Sequence, residues 1–218
     1  IVKNNYESAL MKYPDLTKKI VKAVSKAVNI PVTVKMRKGW NQENVNVVNI
    51  AKISEENGAK AVAVHGRTRS EFYSGQADWK IIKKVKKAVN IPVIGNGDIF
   101  SAKDGEKMFE KTNCDAVMLA RGIQGNPWLV KNSILALNDQ EKIEISAEDK
   151  IKMAIKHLQI AIDFYGEKRA IPLMRKHISW YLKGLSHSSE IKDKVNKSKD
   201  KNEVKEILND YLIFLQNF

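Results

Sequence analysis

A repeated heptapeptide constrains the fold of this chain more than any other feature. The string Lys-Ala-Val-Asn-Ile-Pro-Val occupies residues 26–32 and recurs without change at residues 87–93. Each copy joins the end of a predicted helix to the start of a predicted strand, and one more strand and helix fit between the copies. A β/α unit of about thirty residues is the period of a parallel α/β fold. We expect each proline to be the first residue of its strand, where a missing N–H is tolerated.

Hydrophobic periodicity, turn residues and capping signals predict the other elements. Four strands are expected, at residues 30–37, 62–64, 92–95 and 115–119. Helices are expected from Pro14, over 43–56 with Gly58 at the end, over 77–89, and from a capping box at Ser101 and Asp104. Beyond about residue 145 the pattern is helical only, with a second capping box at residues 146–149 and helices near 168–184, 188–197 and 201–216.

Two parallel folds fit this pattern, a (β/α)8 barrel and an open doubly wound sheet. No G-x-G-x-x-G string follows a strand, which weakens the dinucleotide-binding alternative. A barrel needs eight strands and only four are visible. The sequence therefore predicts the C-terminal half of a TIM (β/α)8 barrel over residues 1–145 and an all-α helical domain over 146–218, with the other strands upstream of Ile1.

Composition narrows the classes of partner. The 38 Lys and Arg residues exceed the 25 Asp and Glu residues, which gives a net charge of +13 and favours a polyanion such as nucleic acid. No apolar run is long enough for a membrane span, so no membrane partner is expected. The single cysteine, Cys114, excludes an internal disulfide and suits a reducing cytoplasm. We expect it in the core or a turn, not as a nucleophile. The histidines show no metal spacing, and no protein partner is indicated.

Polar residues cluster where the predicted strands end. They are Lys35 and Arg37, then His65 and Arg67, then Asn96, Gly97 and Asp98, then Ala120, Arg121 and Gly122. In barrels a phosphate commonly lies at the loops after the last two strands, against backbone N–H groups. Ordinary glycine turns and a solvated basic loop are the competing interpretation.

A second basic group lies on a predicted helix of the C-terminal region. Arg175, Lys176 and His177 precede Trp180 and Tyr181. Basic residues interleaved with aromatic residues suit RNA, because arginine meets phosphate and rings stack on bases. A charged helix face with Trp180 in the core is an equally open interpretation.

Taken together, these strings resemble the tRNA-dihydrouridine synthases. The matching strings are VKMR with GW at residues 34–40, HGRTR at 65–69, NGDI at 96–99, RGIQGNPW at 121–128 and RKH at 175–177. The resemblance implies an FMN-dependent enzyme that uses NADPH or NADH to reduce the C5–C6 double bond of uridines in tRNA. It implies flavin-ring contacts from Lys35 and His65.

The resemblance also assigns the remaining site residues. Phosphate contacts are implied for Asn96, Gly97, Asp98, Ala120 and Arg121. Contacts with tRNA are implied for Arg67, Arg69, Arg175, Lys176 and His177. Position 120 departs from the glycine often found there, and alanine is small enough to keep a backbone N–H contact.

One departure from the family is larger. The family protonates uracil C5 with a cysteine that has no counterpart in this chain, and residues 1–5 resemble the segment just after it. We therefore expect the catalytic cysteine just upstream of Ile1 and an inactive fragment. Two alternatives stay open, an RNA-binding module without chemistry and a different FMN barrel of the dihydroorotate dehydrogenase type.

Overall fold

The computed structural model describes residues 7–217. The chain divides into two compact units, one ending at Gly122 and the other beginning at Ile123. The predicted boundary near residue 145, between a cofactor-binding barrel and a tRNA-binding helical domain, stays a prediction. The segment 1–5, for which the resemblance predicted a place just after the family's cysteine, lies outside the described residues.

The first unit alternates strands and helices. Its four strands are β1 (Thr33–Arg37), β2 (Ala61–His65), β3 (Val93–Asn96) and β4 (Ala116–Met118). Its helices are α1 (Pro14–Ala27), α2 (Val47–Glu56), α3 (Trp79–Ala88) and α4 (Ala102–Thr112), with 3-10 turns at Glu7–Lys12, Gln42–Asn44 and Arg121–Ile123.

The strands form one parallel sheet in the order β1-β2-β3-β4. A doubly wound sheet reverses its strand order at a switch point, whereas a (β/α) barrel adds each strand beside the previous one. The observed order is the barrel order. It confirms the predicted barrel-type α/β sheet.

Several element boundaries differ from prediction by a few residues. β1 begins at Thr33 and β3 at Val93, so Pro31 and Pro92 lie just before their strands and not at the first position. The Pro92 carbonyl still accepts a hydrogen bond from the Val62 N–H at 2.9 Å, so a proline without an N–H enters the sheet as an acceptor only. Helix α2 begins at Val47, because residues 42–44 form a 3-10 turn.

The two faces of the sheet differ in polarity. Val62, Val64 and Val93 point towards the helices and are buried in one core with Met36 and Met108. Cys114 is also buried in this core, at the amino end of β4, which confirms that it is a core residue. The opposite face carries the alternate residues of each strand, and these are the ones predicted for the site.

The second unit is all helical, as predicted. Its helices are α5 (Trp128–Leu137), α6 (Ala147–Tyr165), α7 (Glu167–Tyr181), α8 (Ser188–Lys197) and α9 (Lys201–Gln216). Helix α5 was not anticipated. The capping box of Ser146 and Asp149 starts α6, and Leu158, Ile178 and Leu208 lie in the apolar core that α6, α7 and α9 share. Within residues 7–217, no helix combines the length and apolarity that a membrane crossing requires.

Candidate active site

The strand register brings the predicted site residues into one row. Arg37 pairs with His65, His65 with Asn96, and Asn96 with Met118, all at the carboxyl edge of the sheet. Lys35 lies two residues earlier on β1 and therefore points to the same face. The Asn96 side chain donates to the Met118 carbonyl at 2.8 Å, which fixes the end of β3 to β4.

This row forms one wall of a pocket. The pocket has a volume of about 160 Å³ and lies at the carboxyl edge; its lining comprises Lys35, Arg37, His65, Tyr73, Asn96, Gly97, Asp98, Ile99, Phe100, Met118, Ala120, Arg121 and Gly122. Pockets that enclose a drug-sized ligand are about 300–1,000 Å³. The pocket is therefore smaller than a site that encloses a whole drug-sized ligand.

The loop after β2 closes one side of the pocket. Arg37 donates to the carbonyls of Thr68 at 2.9 Å and Phe72 at 3.1 Å, so a side chain of β1 holds the loop of the next strand. Gly66 is buried against the Asp78 backbone, where an added Cβ would lie 2.7 Å from the Asp78 carbonyl oxygen. The absence of a side chain at Gly66 thus lets two parts of the loop backbone pack closely.

A buried arginine connects this loop to the end of β3. Arg67 is only 1% exposed. Its guanidinium donates to both carboxylate oxygens of Asp98 at 2.7 Å each and to the carbonyls of Ser74 at 2.9 Å and Gly75 at 2.6 Å. Its hydrogen bonds are made within the protein and little of its side chain reaches solvent, which does not favour the predicted direct contact of Arg67 with tRNA; that contact stays a prediction.

Asp98 is shared between two arginines. Besides Arg67, the Asp98 carboxylate accepts from Arg121 at 3.0 Å and from the Ala77 N–H at 2.7 Å. Burial alone would raise the pKa of Asp98, but the hydrogen bonds from Arg67 and Ala77 outweigh it and lower the pKa. Asp98 is therefore a carboxylate at neutral pH.

The turn after β3 has an unusual backbone. Gly97 has φ +124° and Asp98 has φ +55°, both in the left-handed half of the map. A Cβ at position 97 would lie 2.7 Å from the Ala77 Cβ and 3.1 Å from the His65 ring. Within residues 7–217, no hydrogen bond is formed by the backbone N–H groups of Gly97 and Arg121. Two donors are thus available at adjacent strand ends.

The electrostatics of the pocket favour an anion. Burial, reinforced by Arg37 and Lys35, lowers the pKa of His65 to about 4, so its imidazole is neutral at pH 7. The Lys35 side chain is exposed as a whole, but the pocket wall partly desolvates its ammonium group and, with Arg37, lowers its pKa. The one carboxylate in the lining, Asp98, is already paired by arginine. A phosphate fits this set of donors and charges.

Exposed aromatic rings border the pocket, and the sequence did not single them out. Arg121 lies over the Tyr73 ring at 4.6 Å and the Phe100 ring at 5.4 Å. Tyr73 is 57% exposed and Phe100 is 51% exposed. Arg69, predicted to contact tRNA, is half-buried over the rings of Trp40 at 5.1 Å and Phe72 at 4.8 Å. No local pattern marks Tyr73 or Phe100, because Arg121 lies far from both in the sequence.

The three residues of the helical unit have different environments. Arg175 is half-buried and donates to the Ser198 carbonyl at 2.8 Å, at the end of α8. Lys176 is exposed and lies 5.0 Å from the Trp180 ring centre. The His177 ring lies against Trp180 at 5.0 Å and against His157 at 5.1 Å. Of the three, Lys176 offers the most accessible charge for a phosphate.

Comparison with known proteins decides the family. The family profile described as "Dihydrouridine synthase (Dus)" matches residues 1–216. The chain belongs to the dihydrouridine synthase family. It is 46% identical over 207 residues to a "Probable tRNA-dihydrouridine synthase" of Rickettsia bellii, which covers 94% of this chain and 64% of that protein.

A second relative agrees. The chain is 41% identical over 198 residues to "tRNA-dihydrouridine synthase B" of Pasteurella multocida, which covers 90% of this chain and 59% of that protein. The chain thus spans about six tenths of the length of these two relatives. Among solved structures, a mandelate oxidase variant aligns at 12% identity with a TM-score of 0.33, over 94% of this chain and 67% of that one.

Family membership confirms the resemblance carried by the HGRTR and RGIQGNPW strings. It also answers the alternative of a dihydroorotate-type barrel, which the dihydrouridine synthase match does not support. The assignment of individual residues to flavin or to tRNA stays a prediction.

Proposed function

We propose that this chain is part of a tRNA-dihydrouridine synthase that binds FMN and uses NADPH or NADH to reduce the uridine C5–C6 double bond in tRNA. The observation that carries the proposal is the pocket at the carboxyl edge of β1–β4. It combines free backbone N–H groups, the Arg121 guanidinium and a paired Asp98 carboxylate. That set suits the terminal phosphate of FMN.

The residues present fit FMN in two parts. Gly97, Ala120 and Arg121 would hold the phosphate, since they lie at the ends of the two adjacent strands β3 and β4. Lys35 and His65, on β1 and β2, would lie beside the ring system. When bound, FMN would supply the hydride chemistry, and the protein would supply position and charge.

The protonation states of His65 and Lys35 suit contacts with the flavin ring. His65 is neutral, so one ring nitrogen donates a hydrogen bond and the other accepts one. Lys35 offers an ammonium group whose lowered pKa comes first from desolvation and then from Arg37. A positive charge at this place stabilises negative charge on a ligand ring. Arg37 itself is used to hold the β2 loop.

Binding of tRNA is proposed on two surfaces, each within one unit. In the first unit, Arg69 and Arg121 lie beside exposed rings, which suits phosphates next to unstacked bases. In the helical unit, Lys176 and Trp180 form a similar pair. The net charge of +13 supports attraction to a polyanion.

Reconstitution tests the proposal. The purified 218-residue chain is incubated with FMN, freed of excess cofactor and examined for a retained flavin absorbance band; the FMN-loaded protein is then mixed with NADPH and tRNA lacking dihydrouridine, and the nucleosides are analysed by mass spectrometry. We expect a retained flavin band that the Arg121→Met variant loses. A chain that binds tRNA with a steep salt dependence but retains no flavin would favour the RNA-binding module instead.

Dihydrouridine formation needs a separate experiment, since the family's cysteine has no counterpart in this sequence. We expect flavin binding by the 218-residue chain and dihydrouridine only when the sequence is extended upstream to include that cysteine. Dihydrouridine formed by the 218-residue chain alone would contradict the expected role of the upstream cysteine. Its absence with the extended, FMN-loaded chain would contradict the proposed reaction.

A further inference from the structure

We propose that Arg67 is a positioning residue that compensates the charge of Asp98, and that this pair thereby sets the preference of the pocket for a phosphorylated flavin over an unphosphorylated one. The inference rests on the proposed FMN site and adds to it a residue that contacts no ligand. It is an alternative to the tRNA contact that the sequence suggested for Arg67.

The geometry separates the two arginines that meet Asp98. Arg67 is 1% exposed, makes both of its Asp98 contacts at 2.7 Å, and also holds the loop carbonyls of Ser74 and Gly75. Arg121 has a side chain 33% exposed, makes one contact at 3.0 Å, and lines the pocket. Arg67 is therefore fixed inside the protein, while Arg121 keeps donors that face the pocket.

Charge balance explains why both arginines are needed. Two guanidinium groups and one carboxylate leave one net positive charge beside the available N–H groups of the strand ends. Without Arg67, the Asp98 carboxylate would cancel the charge of Arg121. A bound phosphate would then lie beside an Arg121–Asp98 pair with no net charge, which would weaken its binding. Bidentate pairing with Arg67 occupies the carboxylate and leaves the charge of Arg121 for the ligand.

Asp98 also has a structural role, because its carboxylate holds the turn after β3 to the loop after β2. Its second oxygen accepts from the Ala77 N–H at 2.7 Å, and its backbone lies in the left-handed region at φ +55°. Aspartate tolerates that conformation better than most residues, since its short side chain can hydrogen-bond locally. The carboxylate thus fixes the turn that carries the Gly97 N–H, and Arg67 removes its electrostatic disadvantage.

A charge-swap experiment tests this. Dissociation constants for FMN and for riboflavin, which lacks only the phosphate, are measured by quenching of flavin fluorescence in wild type, Arg67→Met and the double variant Arg67→Met/Asp98→Asn. The ratio of the two constants cancels any general loosening of the ring site. Lys86→Met is the matched control, because it breaks the Lys86–Asp115 pair at the opposite edge of the sheet.

We expect the FMN preference to fall by about tenfold or more in Arg67→Met, since a charge-assisted contact is lost to neutralisation. It should recover most of that loss in the double variant, which restores one net positive charge, and stay unchanged in Lys86→Met. If Arg67→Met does not fold, the double variant is compared with wild type, since it leaves no unpaired buried charge. A double variant whose FMN preference is tenfold or more below that of wild type then overturns the inference.

Two results would overturn the inference while leaving the proposed function intact. One is a parallel loss of FMN and riboflavin affinity in Arg67→Met, which indicates a purely structural role. The other is a double variant whose FMN preference is as low as that of the single variant. A wild-type chain that binds neither flavin would instead overturn the proposed function, and this inference with it.

Discussion

Acidification should destabilise the first unit through His65. The imidazole is 7% exposed, and burial together with the charges of Arg37, Lys35 and Arg67 lowers its pKa from the ordinary 6.5 to about 4. Between these two values the unfolded chain binds a proton at His65 that the folded chain does not. The free energy of unfolding therefore rises with pH from about 4 to about 6.5 and is flat above that range.

The size of the effect follows from the shift. A pKa of about 4 in the folded state against 6.5 in the unfolded state makes the His65 contribution about 2 kcal/mol smaller at about pH 5 than at about pH 7.5. The measurement is urea unfolding at both pH values, in wild type and in a His65→Gln variant. Other titrating groups contribute equally to both proteins and cancel in the comparison.

We expect the wild type to lose about 2 kcal/mol more than His65→Gln on acidification. An NMR titration of the His65 ring in the folded protein gives the pKa directly and needs no variant. An equal pH dependence in both proteins, or a ring that titrates near 6.5, would refute the reasoning.

Four other substitutions, of which Gly75→Ala is a control for Gly97→Ala, test separate parts of the structure. Gly97→Ala should destabilise by about 2–4 kcal/mol, because the residue has φ +124° and its Cβ would lie 2.7 Å from Ala77. Gly75 has φ +62°, but an added Cβ there would have no atom within 4 Å. Gly75→Ala should therefore lower the free energy of unfolding in urea by less, through backbone strain alone. Ser146→Ala removes the cap of α6 and should lower the free energy of unfolding by about 1 kcal/mol, with no change in flavin affinity. Lys176→Met should weaken tRNA binding similarly for all tRNAs and reduce the salt slope by about 1, whereas an unchanged slope would exclude a phosphate contact.

Sequence patterns predicted the fold well where the signal is local. The repeated heptapeptide predicted two of the four β/α units, and the capping boxes at Ser101 and Ser146 placed the starts of α4 and α6 correctly. The predicted row of strand-end residues is brought together because parallel strands end at one edge. Helix α5 was missed, since its apolar residues follow a Pro-Trp string that we treated only as a motif.

The roles of the arginines could not be predicted, because they depend on contacts between distant residues. Arg67 and Arg69 are two positions apart in one basic loop, yet the first is 1% exposed and the second is half-buried beside two rings. Arg67 meets Asp98, which lies 31 positions further along the chain. Only the pairing of β2 with β3 brings the two together.

A crystal structure of the chain with FMN would test the proposed cofactor site. We expect the phosphate at the ends of β3 and β4, with its oxygens about 2.7–3.1 Å from the Arg121 guanidinium and the Gly97 N–H, and the ring beside Lys35 and His65. A flavin bound elsewhere, or bound here with its phosphate away from Arg121, would contradict this expectation.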